Sequence, residues 1–331
     1  MKAIHMTAVG EADVLEPVDI AEPELTSSTQ VKVRLHAAGV NPIDTKVRSR
    51  GLFYNAECPA VLGCDGAGEI VAIGDKVGRF QIGDLVWFCH GGLGREQGNY
   101  AQFTVIEQNE LELKPKNFGF NEAAAAPLVL ITAWEALFDQ AGLSHGQSIL
   151  IHAGAGGVGH VAIQLARNAG ARVIATVGNE ENAEFVRDLG ADEVINYRED
   201  NLLERVMEIT DNKGVDVSFD TVGHEAFVAS IPATAHYGTL VTLLDPGSVE
   251  FAEARARNLK IAFTLMLTPM LHDLSQPRAH HGEILRTCGQ WIDDGHLQIH
   301  ISQTLALEEA AEAHQAIATG HTRGKIVLRI D

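Results

Sequence analysis

The sequence predicts an α/β protein with two parts, a β-rich N-terminal region and a doubly wound parallel sheet. Three observations carry this prediction. Short strand-like segments are dense up to about residue 120, strands and helices alternate from residue 148 onward, and a glycine-rich turn joins the first of these strands to the next helix. With 331 residues, of which 46% are hydrophobic, the chain is long enough for two domains with cores of their own.

The N-terminal region contains closely spaced strand signals: KAIHM, VKVRLHAAGV, GEIVAIG, DLVWFC and YAQFTVI. Proline and glycine separate them, which favours a small β-barrel-like domain over strand-helix-strand units. From Asn121 the pattern changes to NEAAAAPLVLITAWEALFD, which predicts a helix leading into the second domain.

A glycine-rich turn is the strongest local motif. Ile149–Ile151 form a short aliphatic segment typical of a buried strand, and glycines at GxGxxG spacing follow it. Such glycines permit the tight turn, the close approach of backbone to a pyrophosphate, and the packing of helix on strand. The helix N-terminus adds N–H groups and a positive dipole end. The predicted dinucleotide-binding loop therefore comprises Gly154, Gly156, Gly157, Val158 and Gly159.

The alternation after this turn completes a sheet. Further strands are predicted at 172–177, 193–196, 215–220, 238–244 and 258–265, with helices at 180–189 and 201–209. Six strands make the two halves of a dinucleotide-binding fold, in which ligands lie at the carboxyl ends of the strands. Val222, Leu243 and Leu244 follow such ends, so we expect their backbone to contact the cofactor.

Composition excludes several function classes. A net charge of −19 would repel nucleic acid, and no basic cluster reverses it. No apolar segment is long enough to span a membrane, and the N-terminus lacks a signal-peptide pattern, so we expect a cytoplasmic protein. The four cysteines have no CxxC spacing, which favours reduced, structural thiols.

The chain resembles the medium-chain dehydrogenase/reductase superfamily along nearly its whole length. The motifs that carry the resemblance are GVNPID at 39–44, GCDGAGEIVAIG at 63–74, HAGAGGVG at 152–159, LGADEVINY at 189–197 and TRGKIVL at 322–328. The resemblance implies a GroES-like catalytic domain at 1–121 and 267–331, a Rossmann domain at 122–266, and a cofactor between them. It also implies a homodimer that pairs through the strand at 259–265.

Zinc ligands of the superfamily's alcohol dehydrogenases are missing here. Asn41 stands where those enzymes have a cysteine, and Cys64-Asp65 stand where they have a histidine-glutamate pair. The segment that corresponds to their structural zinc lobe, CHGGLGREQGNYAQF, has one cysteine. A catalytic zinc needs three protein ligands. The sequence therefore resembles the zinc-independent quinone oxidoreductase branch, and we expect no metal.

This resemblance implies hydride transfer from a nicotinamide to a quinone, with Asn41 and Thr132 close to the nicotinamide. Tyr54 is a candidate pocket wall or hydrogen-bond donor, and Lys46 stands where relatives often have a tyrosine. Two alternatives stay open. One is a reductase of activated alkenes such as alkenals, enones or enoyl thioesters, and the other is a non-enzymatic NADPH-binding protein like the lens crystallins of this branch.

The choice of nicotinamide cofactor depends on the loop after the second strand of the sheet. Enzymes that prefer NADH place a carboxylate there, whereas this chain has Gly178. Asn182 replaces the lysine of NADPH-dependent relatives, and Tyr197 and Arg323 stand at their other phosphate-facing positions. We therefore expect NADPH.

Overall fold

The computed structural model describes all residues, 1–331, and the chain divides into two compact units. The first comprises Met1–Leu128 and Leu267–Asp331, and the second comprises Val129–Met266. Each unit has its own sheet and its own buried core.

The N-terminal part of the first unit is mostly strands. Its elements are β1 (Lys2–Met6), β2 (Leu15–Asp19), β3 (Gln30–Val40), α1 (Pro42–Arg50), β4 (Ala60–Val61), β5 (Asp65–Ile73), β6 (Leu85–Cys89), β7 (Phe103–Glu107), β8 (Leu111–Leu113) and α2 (Phe120–Ala125), with a 3₁₀ turn at Ala12–Val14. β2, β1 and β4 form a small antiparallel sheet.

The second unit, with the helix that leads into it, alternates strands and helices. Its elements are α3 (Pro127–Trp134), a π-helical turn (Glu135–Gln140), β9 (Ser148–Ile151), α4 (Gly157–Asn168), β10 (Arg172–Val177), α5 (Glu180–Asp188), β11 (Glu193–Asn196), α6 (Leu202–Ile209), β12 (Val215–Asp220), α7 (His224–Ala233), β13 (Thr234–Thr242), α8 (Ala252–Ala256) and β14 (Lys260–Phe263). The six strands are parallel in the order β11-β10-β9-β12-β13-β14. This order confirms the predicted doubly wound sheet.

The chain then returns to the first unit with α9 (Thr268–Leu271), α10 (Ser275–Asp293), β15 (Ile301–Ala306), α11 (Ala310–Ala318) and β16 (Lys325–Arg329). β16 pairs antiparallel with the end of β3, so that Ile326 lies opposite Val40. The larger sheet has the order β15-β16-β3-β5-β6-β8, with β7 also paired to β3. This pairing brings Lys325 beside Asn41, which is almost three hundred residues earlier in the sequence, as their hydrogen bond shows.

The helical run from Asn121 differs from its prediction. It is two helices and a π-helical turn, because Pro127 has no N–H to continue α2 and instead begins α3. The alanines at 123–126 are fully buried, and α2 packs on β3 and β5. The boundary between units therefore follows Leu128 and not residue 121, while the second boundary follows Met266. No helix in the protein combines the length and the apolar character needed to cross a membrane.

Candidate functional site

The glycine turn between β9 and α4 has the geometry of a phosphate-binding loop. A β-carbon at Gly159 would lie 2.2 Å from the carbonyl oxygen of Ala153, and one at Gly154 would lie 3.0 Å from the Cβ of Ala175. Gly156 is the N-cap of α4, and a β-carbon there would have one neighbour within 4 Å, at 3.2 Å. The first N–H groups of a helix have no partner within the helix. The loop thus offers backbone donors at a surface kept open by glycine.

The loops after β12 and β13 lie at the same carboxyl edge, because these strands follow β9 in the sheet order. Asp220 ties them together: its Oδ1 accepts from the N–H of Val222 at 2.9 Å, and its Oδ2 accepts from the hydroxyl of Thr242 at 2.8 Å. The N–H of Leu243 donates to the Asp220 carbonyl at 3.1 Å, and Leu244 follows in the same turn. The structure therefore brings these predicted cofactor residues to the edge that carries the glycine turn.

Gly178, which follows β10, lies next to Tyr197 and Arg198, which follow β11, and the three form a group that fits an anion. A β-carbon at Gly178 would lie 2.7 Å from the hydroxyl oxygen of Tyr197 and 3.3 Å from Nε of Arg198. The Arg198 guanidinium lies over the ring of Tyr197, 5.9 Å from its centroid. Tyr197 is 55% exposed. Sequence analysis found Gly178 and Tyr197 but missed Arg198, although it directly follows Tyr197.

The acidic start of α5 lies beside this loop in the sequence. Asn182 is in the first turn of α5, and its N–H donates to the Asn179 side chain, which caps the helix. Glu180 forms an ion pair at 2.7 Å with Arg187, which lies about two turns further along the same helix. This ion pair offsets part of the negative charge that Glu180 and Glu181, in the first turn of α5, bring to the region.

In the first unit, Asn41 is the centre of a buried polar network. It is the N-cap of α1, and its backbone N–H donates to Asp44 Oδ2 at 2.8 Å. Its side-chain Nδ2 donates to Asp65 Oδ2 at 2.9 Å, and its Oδ1 accepts from the Lys325 ammonium. Asn41 is 0% exposed. These contacts fix the orientation of its amide, since Lys325 can only donate and a carboxylate can only accept.

Burial dominates the electrostatics of this network. It raises the pKa of Asp44 to about 7, against hydrogen bonds from Asn41 and from the Tyr100 hydroxyl that lower it. It also raises the pKa of Asp65 and lowers that of Lys325, whose ammonium lies 3.9 Å from Asp65 Oδ2. The buried, low-dielectric surroundings disfavour the charged forms of both Asp65 and Lys325, and the attraction between the two opposite charges offsets part of that cost.

Tyr54 lies in a strained loop of the first unit. Its backbone φ is 63°, in the left-handed region, and its hydroxyl donates to the Met270 carbonyl at 2.6 Å. The Arg95 guanidinium lies over its ring, 4.5 Å from the centroid. The hydroxyl hydrogen is therefore already used within the protein, so Tyr54 fits the role of a pocket wall better than that of a donor to substrate.

The remaining predicted residues are Thr132 and Arg323. Thr132 is a buried residue of α3, in the second unit. Arg323 precedes β16 in the first unit, where its charge, after burial, helps to lower the pKa of His300.

No three His, Cys, Asp or Glu side chains in the protein are arranged to hold a metal ion. Cys64 and Cys89 are buried beside Asp44 and Asp65, and burial together with these carboxylates raises the pKa of both thiols well above its usual value. They are accordingly protonated donors, not thiolates.

Sequence analysis did not assign Lys325 or Asp65 to the site. Lys325 was visible only as part of TRGKIVL, and its partnership with Asn41 depends on the pairing of β16 with β3. Asp65 is opposite Gly39 on β3, and its Oδ1 accepts from the Leu128 N–H at 2.8 Å. Both contacts are between residues distant in sequence, so local motifs could not reveal them.

Comparison with known proteins matches this description. The alcohol dehydrogenase GroES-like domain family matches residues 27–116, and the zinc-binding dehydrogenase family matches residues 189–328. A quinone oxidoreductase of Pseudomonas aeruginosa is 35% identical over 328 residues, covering 99% of each chain.

Solved structures agree over the whole chain. A NAD-dependent alcohol dehydrogenase has a TM-score of 0.90 at 33% identity, with 100% of both chains covered. The Escherichia coli quinone oxidoreductase complexed with NADPH has a TM-score of 0.87 at 28% identity, covering 99% of this chain and 100% of that one. The chain is therefore an oxidoreductase that belongs to the medium-chain dehydrogenase/reductase superfamily, in its quinone oxidoreductase branch.

Proposed function

We propose that the protein is an NADPH-dependent reductase that transfers hydride to a quinone. The observation that carries the proposal is the group formed by Gly178, after β10, with Tyr197 and Arg198, after β11. An enzyme that prefers NADH places a carboxylate at this point to accept from the ribose 2′-hydroxyl. Here the residue is glycine, and a phenol and a guanidinium occupy the adjacent space, which suits a 2′-phosphate. The Escherichia coli relative was solved with NADPH.

The nicotinamide would supply the hydride, and the protein would bind and orient it. The glycine turn from Gly154 to Gly159 fits the pyrophosphate, because a side chain at Gly159 would clash with backbone. Val222, Leu243 and Leu244 would contact the cofactor from the neighbouring loops. A quinone spreads the charge it gains over its oxygens, so alignment at short range and exclusion of water account for most of the catalysis required.

Cofactor choice is tested by comparing kcat/KM for NADPH and NADH in the wild type and in Arg198→Gln. We expect the wild type to prefer NADPH. In the variant, kcat/KM should fall about tenfold or more with NADPH and change little with NADH, because a charge-assisted contact to the 2′-phosphate is removed. Arg205→Gln, an exposed arginine of α6 paired with Glu208, is the matched control. A wild-type preference for NADH would contradict the cofactor proposal.

Asn41, Thr132 and Tyr54 are proposed as site residues of the same reaction. Asn41 supports the site by capping α1 and holding Lys325 and Asp65 in place. Substitution Thr132→Val keeps the size of this buried side chain and removes its hydroxyl. We expect a lower kcat with quinone and an unchanged Kd for NADPH; an unchanged kcat would remove Thr132 from the proposal.

Activated alkenes are the second candidate substrate class. Lys46 on α1 is half-buried, and its pKa is lowered by burial and then by the charge of Arg50. Lys46 and Arg50 are therefore basic side chains on a helix where a quinone pocket would favour aromatic ones. NADPH oxidation measured with matched quinones, alkenals and enoyl thioesters separates the two classes. Binding of NADPH with no turnover on any of them would favour a crystallin-like role and would refute both.

Catalysis is proposed to proceed without zinc. Asn41 offers an amide where a thiolate would be needed, and the buried Cys64 thiol holds its proton. Full activity after dialysis against a chelator, with no zinc found by elemental analysis, is the expected result. Activity that falls on chelation and returns with zinc would contradict this.

A homodimer is proposed through β14, which is an edge strand of the six-stranded sheet. Phe263 and Leu265 are 58% and 54% exposed, which is unusual for large apolar side chains at a sheet edge. Light scattering should give twice the chain mass, and Phe263→Lys should yield monomers. A monomeric wild type at micromolar concentration would refute the dimer.

A further inference from the structure

A pocket on the first unit is lined by none of the residues assigned so far. It lies between the 3₁₀ turn at Ala12–Val14, the end of α1 and the helix α11, and its cavity volume is about 400 Å³. Its polar lining comes from six side chains: Glu11, Asp13, Arg48, His314, Gln315 and Thr319. The first three are charged, and Arg48 is the one cation among them.

Arg48 forms the deepest charged part of this pocket. It is 5% exposed, yet its guanidinium Nε and Nη1 have no hydrogen-bond partner. Buried guanidinium groups ordinarily have acceptors, because a desolvated cation without them is costly. The unpaired donors of Arg48 therefore mark a place where an acceptor oxygen is expected.

His314 supplies a second unpaired group at the same place. It is 0% exposed, its Nε2 lies 3.1 Å from the Tyr100 hydroxyl, and its Nδ1 has no partner. Burial and the charge of Arg48 lower the pKa of His314 to about 3, so the imidazole is neutral. The positive charge at this pocket is consequently that of Arg48 alone.

The nearby carboxylates do not satisfy Arg48. Glu11 Oε2 lies 4.0 Å from Arg48 Nη1, beyond hydrogen-bond distance, and its side chain is 95% exposed. Asp13 is also exposed. Such a contact in water is weak, so Glu11 would compete only slightly with an anion that enters the pocket.

We propose that this pocket binds a small oxyanion, the carboxylate or phosphate group of a metabolite, on the guanidinium of Arg48. The unpaired Nε–H and Nη1–H groups point to different sides of the guanidinium, so each would give a single charge-assisted hydrogen bond to an oxygen of such a group. The cavity is larger than one phosphate, which leaves room for the remainder of a small organic anion. This inference does not depend on the proposed reaction or on its cofactor.

Four variants separate this site from phosphate bound at the glycine turn. Arg48→Gln removes the charge, and Arg50→Gln removes an exposed arginine of the same helix as a matched control. Ala318→Glu adds a carboxylate at an exposed position that lines the pocket, and it leaves Arg48 in place should Arg48→Gln fold poorly. Glu11→Gln removes the competing carboxylate.

The experiment is calorimetric titration of the full chain with inorganic phosphate and, separately, with acetate at constant ionic strength. We expect saturable binding of at least one of these anions. Its Kd should rise tenfold or more in Arg48→Gln and Ala318→Glu, stay unchanged in Arg50→Gln, and fall about two- to five-fold in Glu11→Gln. If neither anion binds the wild type, or if binding persists unchanged in Ala318→Glu, the proposal is wrong.

Discussion

Replacing Asp44 with asparagine should change how stability depends on pH. Asp44 is fully buried, its Oδ2 accepts from the Asn41 N–H at 2.8 Å and from the Tyr100 hydroxyl at 3.1 Å, and its Oδ1 has no partner. An asparagine oxygen can accept both bonds. The amide nitrogen would stand at the unpartnered position, at a cost of about 1–3 kcal/mol that does not vary with pH.

The magnitude follows from the pKa of Asp44, which burial raises from 3.8 to about 7 in the folded chain. Because the folded protein binds this proton more tightly than the unfolded chain, stability is greatest below pH 3.8 and is lost as pH rises toward about 7. The whole loss is about 4 kcal/mol, at 1.36 kcal/mol per pKa unit. Between about pH 5 and about pH 8 it is about 2.5 kcal/mol.

Urea unfolding at these two pH values measures the effect. Trp87 and Trp291 lie in the first unit and Trp134 in the second, so a Trp134→Phe background makes fluorescence report the first unit alone. The free energy of unfolding should fall by about 2.5 kcal/mol more in the parent than in Asp44→Asn. Asp19→Asn, an exposed site, is the control. Parallel pH profiles of parent and Asp44→Asn would refute the reasoning.

Three further predictions concern stability and binding. Lys325→Met should lower the free energy of unfolding of the first unit by about 3–5 kcal/mol in the same assay, because it leaves the buried carboxylates of Asp44 and Asp65 without their cation. A loss under about 1 kcal/mol would contradict the network. Gly159→Ala should abolish NADPH binding by calorimetry, since its β-carbon would lie 2.2 Å from the Ala153 carbonyl oxygen; retained affinity would show that the turn can shift. Tyr54→Phe should lower the free energy of unfolding by about 1 kcal/mol, because the 2.6 Å hydrogen bond to the Met270 carbonyl is lost, while kcat stays near normal. A large fall in kcat would instead indicate that Tyr54 donates to the substrate.

Local sequence patterns identified the features that depend on neighbouring residues. The strand before the glycine turn, the glycines themselves and the alternation that follows are all set by short-range geometry and hydrophobic periodicity. The six parallel strands were accordingly predicted within a few residues of their bounds. The helical run from Asn121 was wrong in detail, because apolar periodicity continued through Pro127 while the backbone could not.

The sequence by itself determined the fold class, the glycine turn between a strand and a helix, and the absence of a zinc-ligand pattern, because each is expressed in residues close together in the chain. Only the tertiary structure decided the rest. The pairing of β16 with β3 places Lys325 on Asn41, the loop after β11 brings Arg198 to Gly178, and the packing of α11 against α1 leaves Arg48 without an acceptor. Burial and charge compensation depend on tertiary contacts between segments that are distant in the sequence, and no local sequence pattern specifies those contacts.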